Sequence, residues 1–154
     1  MKNETKIERK SECELVVTRT VDAPAHLVYE AWTNADLFQR WWVPKSFGLN
    51  LVSCQMDVRV GGEYRLAFLH DGSTMEFFGT YIDVTPPTRL AWTNDEGEAG
   101  QTITTVTFEE VDGKTLVTVL DVYPSVEAVE FGSTNALPES FEQLDELLAG
   151  LESH

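Results

Sequence analysis

Between Leu49 and Val122 the sequence alternates apolar and polar residues with few interruptions, and this constrains the fold more than any other feature. In "GGEYRLAFLH", Tyr64, Leu66 and Phe68 share one face while Glu63 and Arg65 share the other. A period of two is the signature of a half-buried strand. Asp71-Gly72 follows, a dipeptide suited to a two-residue hairpin turn, and "TMEFFGTYIDV" returns. A two-residue loop sets Phe68 opposite Met75, Leu66 opposite Phe77 and Gly62 opposite Tyr81. A three-residue loop turns Phe78 inward instead, because a slip of one residue exchanges the faces. The first register puts more apolar residues on one face and is the expected one.

Other strands flank this hairpin. "LNLVSCQMDV" precedes it, and "PPTRLAWTN" follows with Leu90 and Trp92 on one face. "TITTVTFEE" and "KTLVTVLDV" form a second hairpin around Val111-Asp112-Gly113. Read as a three-residue loop with Gly113 in the left-handed last position, it pairs Phe108 with Leu116 and Val106 with Thr118. Nearer the N-terminus, "ELVVTRTV" is a further strand with Leu15, Val17 and Val21 on one face. Arg19 shares that apolar face, which places it at the sheet's end or against a carboxylate.

Two short helices separate this first strand from the rest. Leu27, Val28, Ala31 and Trp32 form an apolar stripe at helical spacing, with Asp22 as candidate cap and Pro24 in the first turn. Asn34 caps a second helix whose face is Leu37, Phe38, Trp41 and Trp42, and Pro44 stops it. At the other end of the chain, Leu137, Phe141, Leu144, Leu148 and Leu151 mark a long amphipathic helix. Gly132 and Pro138 imply a kink, or a break near 132–137 with a new start around Pro138. A sheet with one apolar face must cover it, and this helix is the only element large enough. The expected fold is therefore α+β: a curved seven-stranded antiparallel sheet, two short helices and a long C-terminal helix. Residues 12–152 form one domain, and residues 1–11 a flexible leader.

Charge narrows the partners. The chain has 154 residues, 26 acidic against 11 basic, and a net charge of −15. Binding phosphates needs a basic surface, so nucleic acid is not an expected partner. The first residues, "MKNETKIERKSECE", carry no apolar signal core, and no run approaches a membrane span. A cytoplasmic protein without membrane insertion is expected, with Cys13 and Cys54 as free thiols.

Catalytic signatures do not stand out. His26, His70 and His154 have no partners at metal-ligand spacing, and neither cysteine belongs to a paired motif. No phosphate loop and no nucleophile elbow occurs. Neither a metal nor a cofactor is expected. Asp57, Glu76, Asp83 and Asp121 lie on or near strands, and any of them facing a dry cavity becomes an acid–base candidate. Arg19 and Glu76 are the charged residues to inspect first.

Four segments in order carry a family resemblance: "RTVDAPAHLVYEAWTNADLFQRWWVP", "MDVRVGGEYRL", "GTYIDVTPPTRLAWT" and "TVTFEEVDGKTLVTV". From about Glu14 to Leu148 the chain resembles the activator of heat-shock-protein-90 ATPase homologue-like family, within the START/birch-pollen-allergen (SRPBCC) superfamily. The resemblance implies the helix-grip fold, in which a seven-stranded sheet surrounds a C-terminal helix and encloses a cavity. It also implies three functions. The first is binding of a small hydrophobic or amphipathic ligand in that cavity. The second is a co-chaperone-like contact with a chaperone ATPase, and the third a cavity enzyme of cyclase or hydrolase type. Where family members often carry Gly-Trp at the start of the last helical stretch, this chain has Ser140-Phe141.

A helix-grip cavity would be lined by Trp42, Tyr64, Leu66, Phe68, Phe77, Tyr81, Trp92, Thr104, Val106, Thr118, Val129, Ser133, Leu137 and Phe141. Such pockets are mostly apolar with a few polar anchors, and Tyr64, Tyr81, Thr104, Thr118 and Ser133 are the candidates for those.

Overall fold

In the computed structural model, residues 5–42, 50–70, 72–95, 100–125 and 137–152 are described. The described strands are β1 (Lys6–Ser11), β2 (Glu14–Val21), β3 (Asn50–Met56), β4 (Glu63–His70), β5 (Ser73–Thr85), β6 (Arg89–Asp95), β7 (Gln101–Val111) and β8 (Lys114–Val122). The helices are α1 (Ala25–Thr33), α2 (Ala35–Trp41) and α3 (Leu137–Glu152). All strand pairs are antiparallel, in the order β1-β2-β8-β7-β6-β5-β4-β3. The N-terminal β2 thus lies beside β8, and the rest of the sheet is a meander. This is the α+β architecture expected, with one strand more.

The additional strand is β1, which occupies residues 6–11 of the expected leader. Its six residues are all exposed, and it pairs with β2 through the backbone ladder and one side-chain bond, from Ser11 Oγ to Glu14 Oε1 at 2.9 Å. With no face to bury it needs no apolar alternation, so its sequence carries no strand pattern. Its lysines and arginine also guard the sheet edge against further pairing.

The β4–β5 hairpin has the expected register: Phe68 faces Met75, Leu66 faces Phe77, and Tyr81 N–H donates to the Gly62 carbonyl. The β7–β8 hairpin does not. Val111 pairs with Lys114, leaving a two-residue loop with Asp112 at φ 54° and Gly113 at φ 79°. Two successive left-handed residues make the turn whose twist matches the strands. Phe108 therefore faces Val117 and Val106 faces Val119, in place of Leu116 and Thr118. This slip of one residue turns all of β8 over. Val117 and Val119 are buried, Leu116 is exposed, and Thr118 pairs with Thr18 and Thr107 on the outer face. Asp121 turns inward and is buried.

Helix caps explain how the small helices sit. Asn34 Oδ1 accepts from the N–H groups of Asp36 and Leu37, as its side chain suggests. For α1 the expected cap, Asp22, is replaced by a strand residue. Ala25 N–H donates to Glu110 Oε1 of β7 at 2.7 Å, while Asp22 is exposed and ion-pairs with Lys114 at 3.5 Å. A helix N-terminus needs an acceptor but does not require a neighbour in sequence to supply it.

The last carbonyls of α2 need donors too. Ser140 Oγ donates to the Trp42 carbonyl at 2.7 Å, and Gln143 Nε2 to that of Trp41 at 2.9 Å. Ser140 therefore has a structural task, holding the end of α2 against α3. The described part of α3 begins at Leu137, and the expected kink or break near 132–137 falls largely outside the described residues. Its stripe of Leu137, Phe141, Leu144 and Leu148 is buried against the core. Arg19, the anomalous residue of β2, reaches this helix. Its Nη2 lies 2.6 Å from Asp145 Oδ2, and its side chain is 1% exposed against 33% for Asp145. The pair fixes where α3 crosses the sheet.

Candidate functional site

The inner face of the sheet is built in cross-strand rows. One row is wholly aliphatic: Val17, Val119, Val106, Leu90 and Val84. The neighbouring row is Leu15, Asp121, Thr104, Trp92 and Tyr81. It mixes a carboxylate, two hydroxyls and an indole. Thr104 Oγ1 donates to Asp121 Oδ1 at 2.6 Å, with both residues buried. A buried carboxylate needs such a donor, because desolvation of its charge is costly. Beyond this row, Asn94 pairs with Thr102, and Tyr64 Oη lies 3.0 Å from Asn94 Oδ1 and 2.9 Å from the Thr93 carbonyl. Polar groups thus gather at this end of the inner face, while Arg19 and Thr115 are buried nearer the other.

Aromatic rings stand over the junction. Trp32 packs on Trp41 with centroids 4.8 Å apart, on Trp42 at 5.5 Å, on Trp92 at 5.9 Å and on Phe141 at 6.4 Å. Trp42 stacks on Phe38 and meets Trp92 edge-on at 6.2 Å. Trp41 Nε1 donates to the Ala31 carbonyl at 3.0 Å. Trp32 Nε1, buried among rings, has no acceptor. Trp32 and Trp41 are therefore core, whereas Trp42 is half-buried at the end of α2, on the side of Trp92.

The structure gathers most of the expected lining. Tyr64, Leu66, Phe68, Tyr81, Trp92, Thr104, Val106, Leu137 and Phe141 are all buried on the inward side, and Trp42 borders them. Val129 and Ser133 lie outside the described residues. Phe77 has the expected register but is 40% exposed, packing on Phe68 at 5.5 Å. Thr118 leaves the lining for the reason given above. Arg19 and Glu76 do not meet: Arg19 joins Asp145, while Glu76 is exposed and bridges Arg65. A cleft of about 310 Å³ is bordered by outer-face residues such as Glu63, Arg65, Phe78 and Thr80, and also by Tyr64, Gly79 and Thr93. Asp121, absent from the expected lining, is the main addition. A two-residue reading of Asp112-Gly113 is the signal that reveals it.

Two phenols and a thiol are held protonated. Burial, and secondarily the charge of Asp83, pushes Tyr29 up to about 12. Burial, then the charges around Cys54, Asp57 and Tyr29, pushes Tyr81 higher still. Burial and Asp36 raise the Cys54 thiol. The inward Tyr81 hydroxyl is thus a neutral group at physiological pH, suited to hydrogen bonding and not to base chemistry. Above pH 10.0, the ordinary tyrosine value, the unfolded chain loses these protons before the folded one does. On this account stability is fully present below pH 10.0 and falls as pH rises towards about 12. An alkaline titration read by tyrosinate absorbance, alongside denaturant midpoints, checks this. Ionisation of every tyrosine near pH 10.0 would mean that both rings reach water.

Among the described residues no cluster of three or more His, Cys, Asp or Glu is placed to hold a metal. No described helix is long and apolar enough to cross a membrane.

The family described as Activator of Hsp90 ATPase homolog 1-like protein matches residues 22–149. No curated protein matches the chain. A solved structure from Rhodobacter sphaeroides aligns with a TM-score of 0.86 at 25% identity, covering 96% of this chain and 99% of that one. One from Nitrosomonas europaea gives 0.82 at 23% identity, covering 95% and 100%. One from Mycobacterium smegmatis gives 0.81 at 20% identity, covering 94% and 96%. The backbone path is therefore shared at low identity, including the sheet that carries the Asp121 row.

Proposed function

Because the chain belongs to the Activator of Hsp90 ATPase homolog 1-like family, we propose that it binds a small hydrophobic or amphipathic ligand between the inner face of its sheet and α3. The supporting observation is the mixed row, in which Asp121 and Thr104 lie between Leu15 on one side and Trp92 and Tyr81 on the other. A face built only for packing gains nothing from a buried carboxylate, whereas binding sites combine apolar walls with a few placed polar groups. The chain's composition suits a cytoplasmic role.

A thermal-shift panel of lipids and aromatic compounds, with native mass spectrometry of gently purified protein, tests this reading. A ligand present at about a hundred times its Kd is expected to raise Tm by roughly 5–10 °C. No shift across the panel together with no bound mass would sink the proposal.

The second reading is a co-chaperone-like interaction domain. It draws support from Met75 and Phe77, which are exposed on one face near the end of the β4–β5 hairpin. Exposed apolar clusters mark contact sites. A pull-down with a purified chaperone ATPase of the heat-shock-protein-90 class, repeated with Phe77→Asp, distinguishes the two. Capture abolished by that change favours the second reading, and capture that never occurs removes it.

A further inference from the structure

We infer that the cleft beside Gly79 is a binding site for a small amino sugar; the inference is independent of the interior reading above. The cleft follows from the topology of the sheet. β5 pairs with β6 only from Tyr81–Trp92 to Thr85–Arg89. Before Tyr81, β5 continues beside β4, and after Trp92, β6 continues beside β7. The sheet therefore forks. At the base of the fork, Thr80 N–H donates to the side-chain Oγ1 of Thr93 at 3.1 Å. The hollow of about 310 Å³ sits there. That volume lies at the small end of ligand pockets and suits one ring with its substituents.

The lining sets the chemistry. Register puts Gln55, Arg65 and Phe78 in one cross-strand row and Glu63 and Thr80 in the next. Three strands by two rows make a patch of about 10 Å by 7 Å. Gln101 borders the hollow from β7. Among the described residues, the side chains of Gln55, Glu63, Thr80 and Gln101 have no hydrogen-bond or ion-pair partner. Two of these are amides and one is a hydroxyl, groups that both donate and accept. Ligand hydroxyls also do both and so match them, whereas a simple ion leaves half of that capacity unmet. Phe78 is 38% exposed and adds an apolar surface for the C–H face of a sugar ring.

Charge selects the amine. Arg65 is already neutralised by its ion pair with Glu76. Its guanidinium carbon also lies 5.1 Å from the centre of the Phe78 ring, so cation and ring hold each other in place. Glu63 has no such partner and leaves the hollow with one uncompensated negative charge. The net charge of the chain, −15, favours the approach of a cation in the same sense.

The test titrates glucosamine, glucose and glucuronate, one ring in three charge states, into the whole chain at mildly acidic pH, and follows backbone amide signals by nuclear magnetic resonance. Glucosamine is expected to shift the signals of Gln55, Glu63, Thr80 and Gln101 and to bind about fivefold more tightly than glucose, as a charge-assisted hydrogen bond implies. Glucuronate should bind more weakly than glucose. Glu63→Gln should bring glucosamine to within about twofold of glucose and leave glucose binding unchanged. Phe78→Ala should weaken both sugars at least about threefold. Glu109→Gln, an exposed charge on β7 away from the hollow, should leave the preference intact. The comparison of the three sugars on the unaltered protein needs no variant, so a folding defect in a variant does not rescue the idea.

Glucosamine and glucose binding equally well overturns the inference, as does the absence of shifts at these residues with all three sugars. A glucosamine preference that survives Glu63→Gln and disappears at high salt is attraction to the acidic surface as a whole, and overturns it too.

Discussion

Trp32→Ala is expected to lower the free energy of unfolding by about 3–5 kcal/mol, the usual cost of removing a large aromatic from a core. That is a large part of the roughly 5–15 kcal/mol that holds a domain together. Trp32 is 1% exposed, and its ring touches elements from the whole molecule. These contacts are Trp41 and Trp42 at the end of α2, Trp92 on β6, Phe108 on β7 and Phe141 on α3. No other described ring joins both small helices, the sheet and the C-terminal helix in this way. Trp32→Phe should cost much less. It keeps a ring and removes an indole N–H that has no acceptor, so part of the lost volume is offset by a relieved polar burial. Denaturant unfolding followed by far-ultraviolet circular dichroism measures both. A loss under about 1 kcal/mol for the alanine would mean that the ring borders open space and not a packed core. That result would move Trp32 from the framework of the site into its lining.

The two Asp-Gly turns explain much of what the sequence does and does not disclose. Around Asp71-Gly72 the alternation is one-sided, so pattern and turn chemistry agree on the register found. Around Asp112-Gly113 the pattern is silent. On β8, Leu116 and Leu120 are apolar on one face while Val117 and Val119 are apolar on the other. Either register buries two aliphatic residues, and only the preference of Asp-Gly for a paired left-handed turn separates them. The three-residue reading hides Asp121 and promotes Thr118, which is why the carboxylate of the candidate site is missing from the expected lining. Long-range partners are illegible for a different reason. Nothing near Ala25 in sequence announces Glu110 as its cap, and nothing near Arg19 announces Asp145. Spacing along the chain reveals local geometry, whereas these contacts depend on how the layers stack. The tryptophan-rich stretch before residue 43 is the converse case. Helical spacing alone places Trp32 and Trp41 inside, and it leaves Trp42 at the end of its helix, where the structure finds it half-buried.

Gly79→Ala is expected to destabilise the protein by about 2–3 kcal/mol, towards the upper end of the usual cost of overpacking. It is also expected to weaken ligand binding at the inner face. A Cβ built at Gly79 would lie 1.7 Å from the Thr93 carbonyl oxygen and 3.0 Å from a ring carbon of Tyr64. Neither neighbour yields easily. The Thr93 carbonyl accepts from Tyr64 Oη at 2.9 Å, and Thr93 Oγ1 accepts from the Thr80 N–H at 3.1 Å. Gly79 pairs with Tyr64 on β4, and two residues later Tyr81 pairs with Trp92 on β6. The glycine therefore lets one strand serve both halves of the sheet at the point where they draw together. A methyl group there must push β5 away from β6, which breaks the Tyr64 hydrogen bond and shifts Tyr81 and Trp92 in the row that carries Asp121. Gly150→Ala provides the opposite expectation in the same chain. A Cβ at that position on α3 meets nothing within 4 Å, and alanine in a helix is favoured over glycine by roughly 0.5–1 kcal/mol. Denaturant midpoints of the two variants should move in opposite directions, and only Gly79→Ala should lower ligand affinity. If Gly79→Ala kept wild-type stability and binding, the close approach of β5 to β6 would not be what shapes the inner face.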